Sequence, residues 1–501
     1  MRERYDVVIV GGGLSGLACG AILSREGLGV CVLEKHRVIG GCLQSFRRGG
    51  YSLDTGMHYI GSMFPDQTMY QYFKYFGVLD KIQASPLNFD GFDEIHFADG
   101  GVYRHAIGYG HFMETLLEAF PNEKDALSAY CSLLAKVGSL ISPEVLRSGR
   151  FSAGGFDYMS MSAYDEIAKL TSDERLLNVL AGGLFQNAGH SRKTSLYEYA
   201  MVNHSNIEGA HSFVGDTQHV ADAFVDVIKS NGGDVFTGSE VTALSVAGDR
   251  LETVTVNGKD EIIADNVIST IHPAATVSLL DNNSIIRKSY INRIKTLENS
   301  LGAFTAYLLL KPGVLRRSAC NFYLYDTPSV WSAYDDSGNG EIHTMLMCHQ
   351  NNGKSEYADV VALLIPMSYS HVSKWADTRT GRRGEEYEGF KAATAEKMLS
   401  FAGGFFPELR SAVDSVVTAS PLTYRDYTGT PDGSSYGIVK DYHNSIVNHL
   451  SPRTKVRNLF LSGQSLNVHG CIGVSVSAAV TCGEIVGSEY LAKKIGYAEV
   501  S

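Results

Sequence analysis

The hexapeptide Gly11-Gly12-Gly13-Leu14-Ser15-Gly16 constrains this chain more than any other feature, because of what flanks it. It follows the short β-branched run "YDVVIV" and opens the apolar helical stretch "LSGLACGAILSRE". Gly11 permits a tight turn, Gly13 lets backbone approach a pyrophosphate, and Gly16 lets helix pack close to strand. From Leu14 and Ser15 onward the helix start offers free N–H groups and the positive end of its dipole to an anion. Glu34 ends the next strand, "GVCVLE", near the offset at which a carboxylate takes ribose hydroxyls. Residues 5–34 therefore predict a βαβ unit that opens a doubly wound α/β sheet and binds a dinucleotide, NAD or FAD. Lys35 reads equally as a solvated lysine or as a contact to the adenosine.

With 501 residues the chain is long for one core, so two domains or more are expected. From about residue 65 to 205 the sequence turns aromatic, charged and helix-like, as in "GHFMETLLEAFPNEKDALSAYCSLLAKVGSLI". Strand and helix language returns near 213, with a helix, a Gly-Gly turn and several short strands. The region from about 276 to 435 mixes strands such as "AFTAYLLL" and "VVALLIPM" with helices. The organisation predicted is two interleaved units. A Rossmann-like nucleotide domain takes residues 1–75, 205–275 and 436–501, and a mixed α+β substrate domain with a helical insert takes 76–204 and 276–435.

A net charge of −11 argues against nucleic acid as a partner. The eight cysteines form no C-x-x-C pair and no cluster with histidine, which argues against zinc and for a reducing, cytoplasmic setting. No run reaches membrane-spanning length without charge or glycine breaks, so the expectation is a soluble protein with at most peripheral membrane contact.

The C-terminal stretch repeats the nucleotide logic. After the strand "NLFLSG" come Gln464 and then Gly470 and Gly473, which open the small-residue helix "VSVSAAVTCGEIV". This second helix start suits partial negative charge, such as the N1–C2=O edge of a reduced flavin, or else is only a tight packing element.

The fingerprint, "GGCLQSF", "DTGMHYIG", "VGDTQHVADAFVDVIKSNGGDVFTGSEVTAL", "PLTYRDYTGTPDGSSYG" and "LFLSGQSLNVHGCIGVSVSAAVTCGEIVG" together resemble the phytoene desaturase family of FAD enzymes. The likeness is strongest to its branch of retinol saturases and carotenoid isomerases. It implies a glutathione-reductase-type FAD domain, with FAD as cofactor and a long apolar polyene as substrate. It also implies that Gly41 and Cys42 lie along the flavin, that the backbone of Val241 holds the adenine, and that Gly463 and Gln464 lie near the ribitol or diphosphate. Asp54-Thr55-Gly56, His58, Tyr59 and Tyr436 are placed near the isoalloxazine. Cys42 stands where many members have Arg, and Gln464 where many have Asp. An amide at 464 can hydrogen-bond the cofactor without adding charge beside a diphosphate.

The chemistry expected is hydride transfer between flavin and a carbon of a C=C or CH–CH unit, with His58, Tyr59 and Tyr436 as candidates for proton donor or polar anchor. Reduction, desaturation and cis/trans isomerisation share this site. A flavin amine oxidase and a flavin-free prenyl-binding scaffold are the competing classes. The aromatics Phe64, Tyr70, Tyr72, Phe73, Tyr75 and Phe76 read as core before ligand tunnel. No second fingerprint is available for a nicotinamide nucleotide, so electrons are expected from a separate donor or acceptor.

Overall fold

The computed structural model describes residues 1–56, 58–187, 192–281, 285–334, 340–350 and 355–499, so Met57 of the "DTGMHYIG" run lies outside it. Two seven-stranded sheets organise these residues. The first grows from strand β1 (Arg4–Val10), helix α1 (Leu14–Arg25) and strand β2 (Val30–Leu33), the expected βαβ unit. β1 lies between β2 and the strand Asp260–Ser269, parallel to both. Helices cover such a strand on each face, and accordingly Val7 to Val10 are all buried and all apolar.

The strand Asp260–Ser269 serves two neighbours along one edge. Its first half pairs antiparallel with Arg250–Val256, and its last residues pair parallel with Leu459–Leu461. The chain's far end thus completes the sheet that its beginning nucleates. The helix Gly470–Val486 then packs against α1, where Gly, Ala, Ser and Cys on both helices allow close approach.

The second sheet runs Val413–Ala419, Gly302–Leu310, Val360–Met367, Thr344–His349, Asn321–Tyr325, Asp93–Phe97, Val102–His105. Neighbours are antiparallel except for Asn321–Tyr325 beside Asp93–Phe97. Both "AFTAYLLL" and "VVALLIPM" lie in this sheet, and the former is buried on both faces. Residues 93–105, from a region whose composition reads as helical, supply two of its strands, because short strands carry little of the periodic signal that longer helices do.

The aromatics near residue 70 belong to the core. Tyr72, Phe73 and Phe76 are fully buried, and Phe73 and Phe76 pack on Phe224 with centroids 6.1 and 5.6 Å away. None of the six lines the cavities described below. Among the described residues no helix is long and apolar enough to cross a membrane.

Candidate active site

A cavity of about 410 Å³ runs along the carboxyl ends of the first sheet's parallel strands, touching Val10, Leu33, Thr270 and Ser462. That is where open α/β sheets bind ligands. Gly11, Gly13, Leu14 and Ser15 form one wall. No side chain caps α1, so its first-turn N–H groups remain available to a ligand. The pair Gly40-Gly41 brings a second stretch of chain against this turn. Gly40 N–H donates to Gly12 O at 2.8 Å, and a Cβ on Gly41, whose φ is +59°, would come within 3.0 Å of Gly13 Cα.

Glu34 lines the same cavity but is already engaged. Its Oε2 accepts from Gly12 N–H at 2.8 Å and its Oε1 from His36 N–H at 2.9 Å, so the carboxylate braces the glycine turn as well as facing the cavity. Lys35 is exposed, with its ammonium beside Gly429 at the cavity rim. Val241, Gly463 and Gln464 line the cavity, and Gln464 Nε2 donates to Ser435 O at 3.4 Å.

Gly16 and Gly473 do not line it. They are packing positions: a Cβ on Gly16 would lie 1.9 Å from Gly11 O, and one on Gly473 2.0 Å from Val468 O. Each lets the first turn of a helix close over the loop before it. A row of backbone N–H groups, a carboxylate at one end and a second helix start at Gly470 at the other together fit an extended dinucleotide.

A smaller cavity of about 180 Å³ adjoins the first and shares Cys42, Gly56, Tyr436, Gln464 and Gly470 with it. The structure brings His58, Tyr59 and Tyr436 together on its walls, beside Ile60, Val202, Ala303, Leu346, Leu364 and Ile472. The Cys42 side chain is open to the cavities but walled off by protein beyond them, and that burial pushes its thiol pKa up. Asp54, expected near the ring of the cofactor, faces away. Its Oδ1 accepts from Ser45 Oγ, Thr217 N–H and Thr217 Oγ1, tying the hairpin 45–54 to the neighbouring helix. Of the Asp-Thr-Gly run only Gly56 reaches the cavity wall.

The three candidate side chains differ in what they can do. The Tyr59 hydroxyl is held between Asp93 Oδ2 at 2.9 Å and Tyr323 Oη at 2.8 Å, and burial next to Asp93 raises its pKa well above the ordinary value. Its ring therefore shapes the cavity while its proton is committed elsewhere. His58 is kept from charging by burial, opposed by the nearby Asp54, and its Nε2 is buried without a partner. The Tyr436 hydroxyl makes no hydrogen bond to the described residues, and its ring lies 4.2 Å from that of His469.

His469 belongs to a buried network that no motif marks. It is the residue before the C-terminal helix, and Nδ1 faces Glu198 Oε1 at 2.9 Å while Nε2 faces the carbonyl of Gln186. Both partners are acceptors, and both His469 and Glu198 are 3% exposed. Gln186 Oε1 in turn accepts from Asn206 Nδ2 at 2.8 Å. Glu198, Val202 and Asn206 recur at helical spacing on Leu196–Gly209, whose one face thereby joins this network to the cavity wall. Lys440 lies buried nearby, donating to Asn448 O and Ser465 O, and burial lowers its pKa to about 7 against the pull of Glu198. Position next to Gly470 was the only sequence signal for His469, and Glu198 had none.

The family model described as flavin containing amine oxidoreductase matches residues 14–356. Over 97% of its length the chain is 26% identical to human all-trans-retinol 13,14-reductase, covering 86% of that protein. An equal share is 21% identical to the chloroplastic prolycopene isomerase of Daucus carota, covering 80% of it. Among solved structures, an oxidoreductase from Methanosarcina mazei matches with a TM-score of 0.64 at 17% identity, covering 94% of this chain and 98% of that one, a likeness of fold.

Proposed function

The chain belongs to the flavin containing amine oxidoreductase family, and on that premise we propose that it holds FAD in the larger cavity and reduces a C=C bond of a long, uncharged, conjugated substrate of retinoid or carotenoid type in the smaller one. The observation that carries this reading is the lining of the smaller cavity. Among the described residues it contains neither a carboxylate nor a cationic lysine or arginine, and its walls combine hydrocarbon side chains such as Val202, Leu346 and Leu364 with uncharged polar ones such as Gln186 and Asn206. A substrate ammonium would find no counter-ion there and would pay its full desolvation. A neutral polyene needs none.

Bound flavin supplies the hydride. Gly11, Gly13, Leu14 and Ser15 would hold the diphosphate, Glu34 and Val241 the adenosine end, and Gly41, Cys42, Gly463 and Gln464 the stretch toward the ring. To Tyr436 we assign the second hydrogen, given as a proton, because its hydroxyl makes no hydrogen bond to the described residues where the two cavities meet. Burial raises its pKa, so the proton is present at any physiological pH. His58 and Tyr59 position the substrate from the opposite run of chain. A reducing, cytoplasmic setting is part of the same reading, with contact to a membrane surface reserved for loading an apolar substrate.

The test is anaerobic incubation of the photoreduced holoprotein with all-trans-retinol and, separately, a carotenoid, followed by mass and absorption spectra. A gain of two hydrogens with a blue shift is expected. Unchanged mass with altered retention would make the protein an isomerase, and peroxide release on amines without change in either polyene would overturn the reading in favour of an amine oxidase.

A further inference from the structure

The reductase reading leaves open where electrons enter, and the surface behind the flavin cavity carries an answer. An open cleft of about 400 Å³ is lined by Ala274, Ala275, Ser278, Lys295, Arg425, Gly429, Thr430 and Pro431. Thr430 lines this cleft and both inner cavities. Ala275 and Gly429 likewise line both this cleft and the larger cavity, so the cleft adjoins the proposed flavin site.

The charge around the cleft runs against that of the molecule. Lys295 is exposed and has no ion-pair partner among the described residues, and the Lys35 ammonium sits against Gly429. The loop bearing Arg379 and Arg382 is fastened beside the cleft, since Thr380 Oγ1 donates to Asp426 and Arg425 donates to Ala376 O. Both arginines are exposed, and neither forms an ion pair among the described residues. The anions nearby are Asp426, which is held between Arg383 and Arg425, the exposed Asp377 and Asp432, and Glu385 and Glu386 at the start of the helix that follows the loop, of which Glu386 pairs with Lys374. A cationic face of this kind on a chain of net charge −11 attracts an acidic partner over a distance set by salt.

We propose that this face receives an acidic one-electron carrier protein, which delivers the reducing equivalents for the reaction proposed above. Hydride transfer from a nicotinamide would require its carbon within roughly 3–3.5 Å of the flavin, whereas a one-electron carrier needs only the close approach that the adjoining cleft offers. Single electrons transfer without direct contact between carrier and flavin. Two reduced carriers are oxidised by one electron each for every C=C reduced, and two protons come from water. A small, charge-steered contact of this sort suits a transient redox encounter.

The test uses the flavin-loaded protein, a plant-type [2Fe–2S] ferredoxin as the acidic probe, and NADPH as the competing reductant. Wild type is compared with the triple variant Lys295→Glu, Arg379→Glu, Arg382→Glu, whose positions lie outside both cavities. Expected are binding of ferredoxin that weakens steeply with salt, anaerobic bleaching of the flavin by reduced ferredoxin, and about tenfold weaker binding with slower bleaching in the variant. Turnover driven by dithionite should be equal in the two. Bleaching by NADPH at the same rate in both proteins, with no salt-dependent ferredoxin binding, would overturn the proposal. Salt-dependent binding and bleaching without any change in a polyene would instead sink the substrate reading and leave this face standing.

Discussion

The two cavities share a wall but are built from different material. The larger is made of backbone: glycines 11, 13, 40 and 41, a helix start and a strand end, with few side chains selecting the ligand. The smaller is made of side chains drawn from at least five separated stretches, with His58, Gln186, Asn206, Leu346, Tyr436 and His469 meeting only after folding. The contrast teaches that the first should fail by losing its cofactor and the second by losing its chemistry or the buried network behind it.

The sharpest challenge to that contrast is Glu198→Ala. It leaves His469 facing an empty acceptor position inside the protein, and a loss of about 3–5 kcal/mol is expected, read from the urea midpoint of the flavin-loaded protein. Glu198→Gln, which keeps an acceptor oxygen, should recover a good part of it. If Ala and Gln variants were equally stable, the network would be ordinary packing.

Gly16→Ala comes next. The overlap with a carbonyl at 1.9 Å cannot be relieved by a rotamer, so about 3 kcal/mol and most of the bound flavin should go together. Retention of a full complement of flavin, measured as the ratio of absorbance near 450 and 280 nm, would falsify the packing account of this glycine.

Asp93→Asn tests the second cavity through pH. Burial raises the Asp93 pKa from 3.8 to about 7, with Asn321 and Tyr59 opposing the rise. Between those values the folded protein keeps a proton that the unfolded chain has released, so Asp93 makes the wild type lose stability as pH climbs through this window. The Asn variant lacks that loss and should gain on the wild type by about 3 kcal/mol from pH 4 to pH 7. Parallel pH–stability curves would mean that Asp93 is ionised in the fold.

Tyr436→Phe should keep flavin and stability while kcat on the confirmed polyene falls about 10²-fold. Equal turnover would move the proton donor to His58. Smallest of all, Lys35→Met should change flavin affinity by no more than about 0.5 kcal/mol, because the ammonium is exposed. A tenfold change would show that Lys35 touches the adenosine.

The larger cavity was nearly all legible in the sequence because its parts are local. A hexapeptide between a strand and a helix fixes Gly11 and Gly13, and the next strand's end fixes Glu34. Gly16 and Gly473 were readable as glycines that matter, but their task is close packing, and they stand outside the cavity. Asp54 was misplaced because a family motif tells which run passes the cofactor and not which side chain of the run turns toward it. The smaller cavity was half legible. Tyr436 and His58 came from motifs, whereas Glu198 sits in a helix buried on nearly every side, polar residues such as Asn203, His204 and Asn206 included, and nothing in a linear pattern separates one buried glutamate from a solvated one. The strands at 93–105 were hidden for a related reason, since two short strands inside a helical stretch make sense only beside Asn321–Tyr325.

The strand Leu459–Leu461 and the helix behind it carry a consequence for how the protein is born. β1 leaves the ribosome long before residues 459–461, its sheet is finished only when they arrive, and the helix start at Gly470 follows them. At roughly 5–20 residues per second the interval is on the order of 20–90 s. During that time the nascent chain exposes a half-built nucleotide fold whose missing edge is a row of unpaired backbone groups. Capture of the cofactor can then report that translation has passed residue 470, so a chain cut short stays colourless and open to proteolysis while a finished one closes around its flavin.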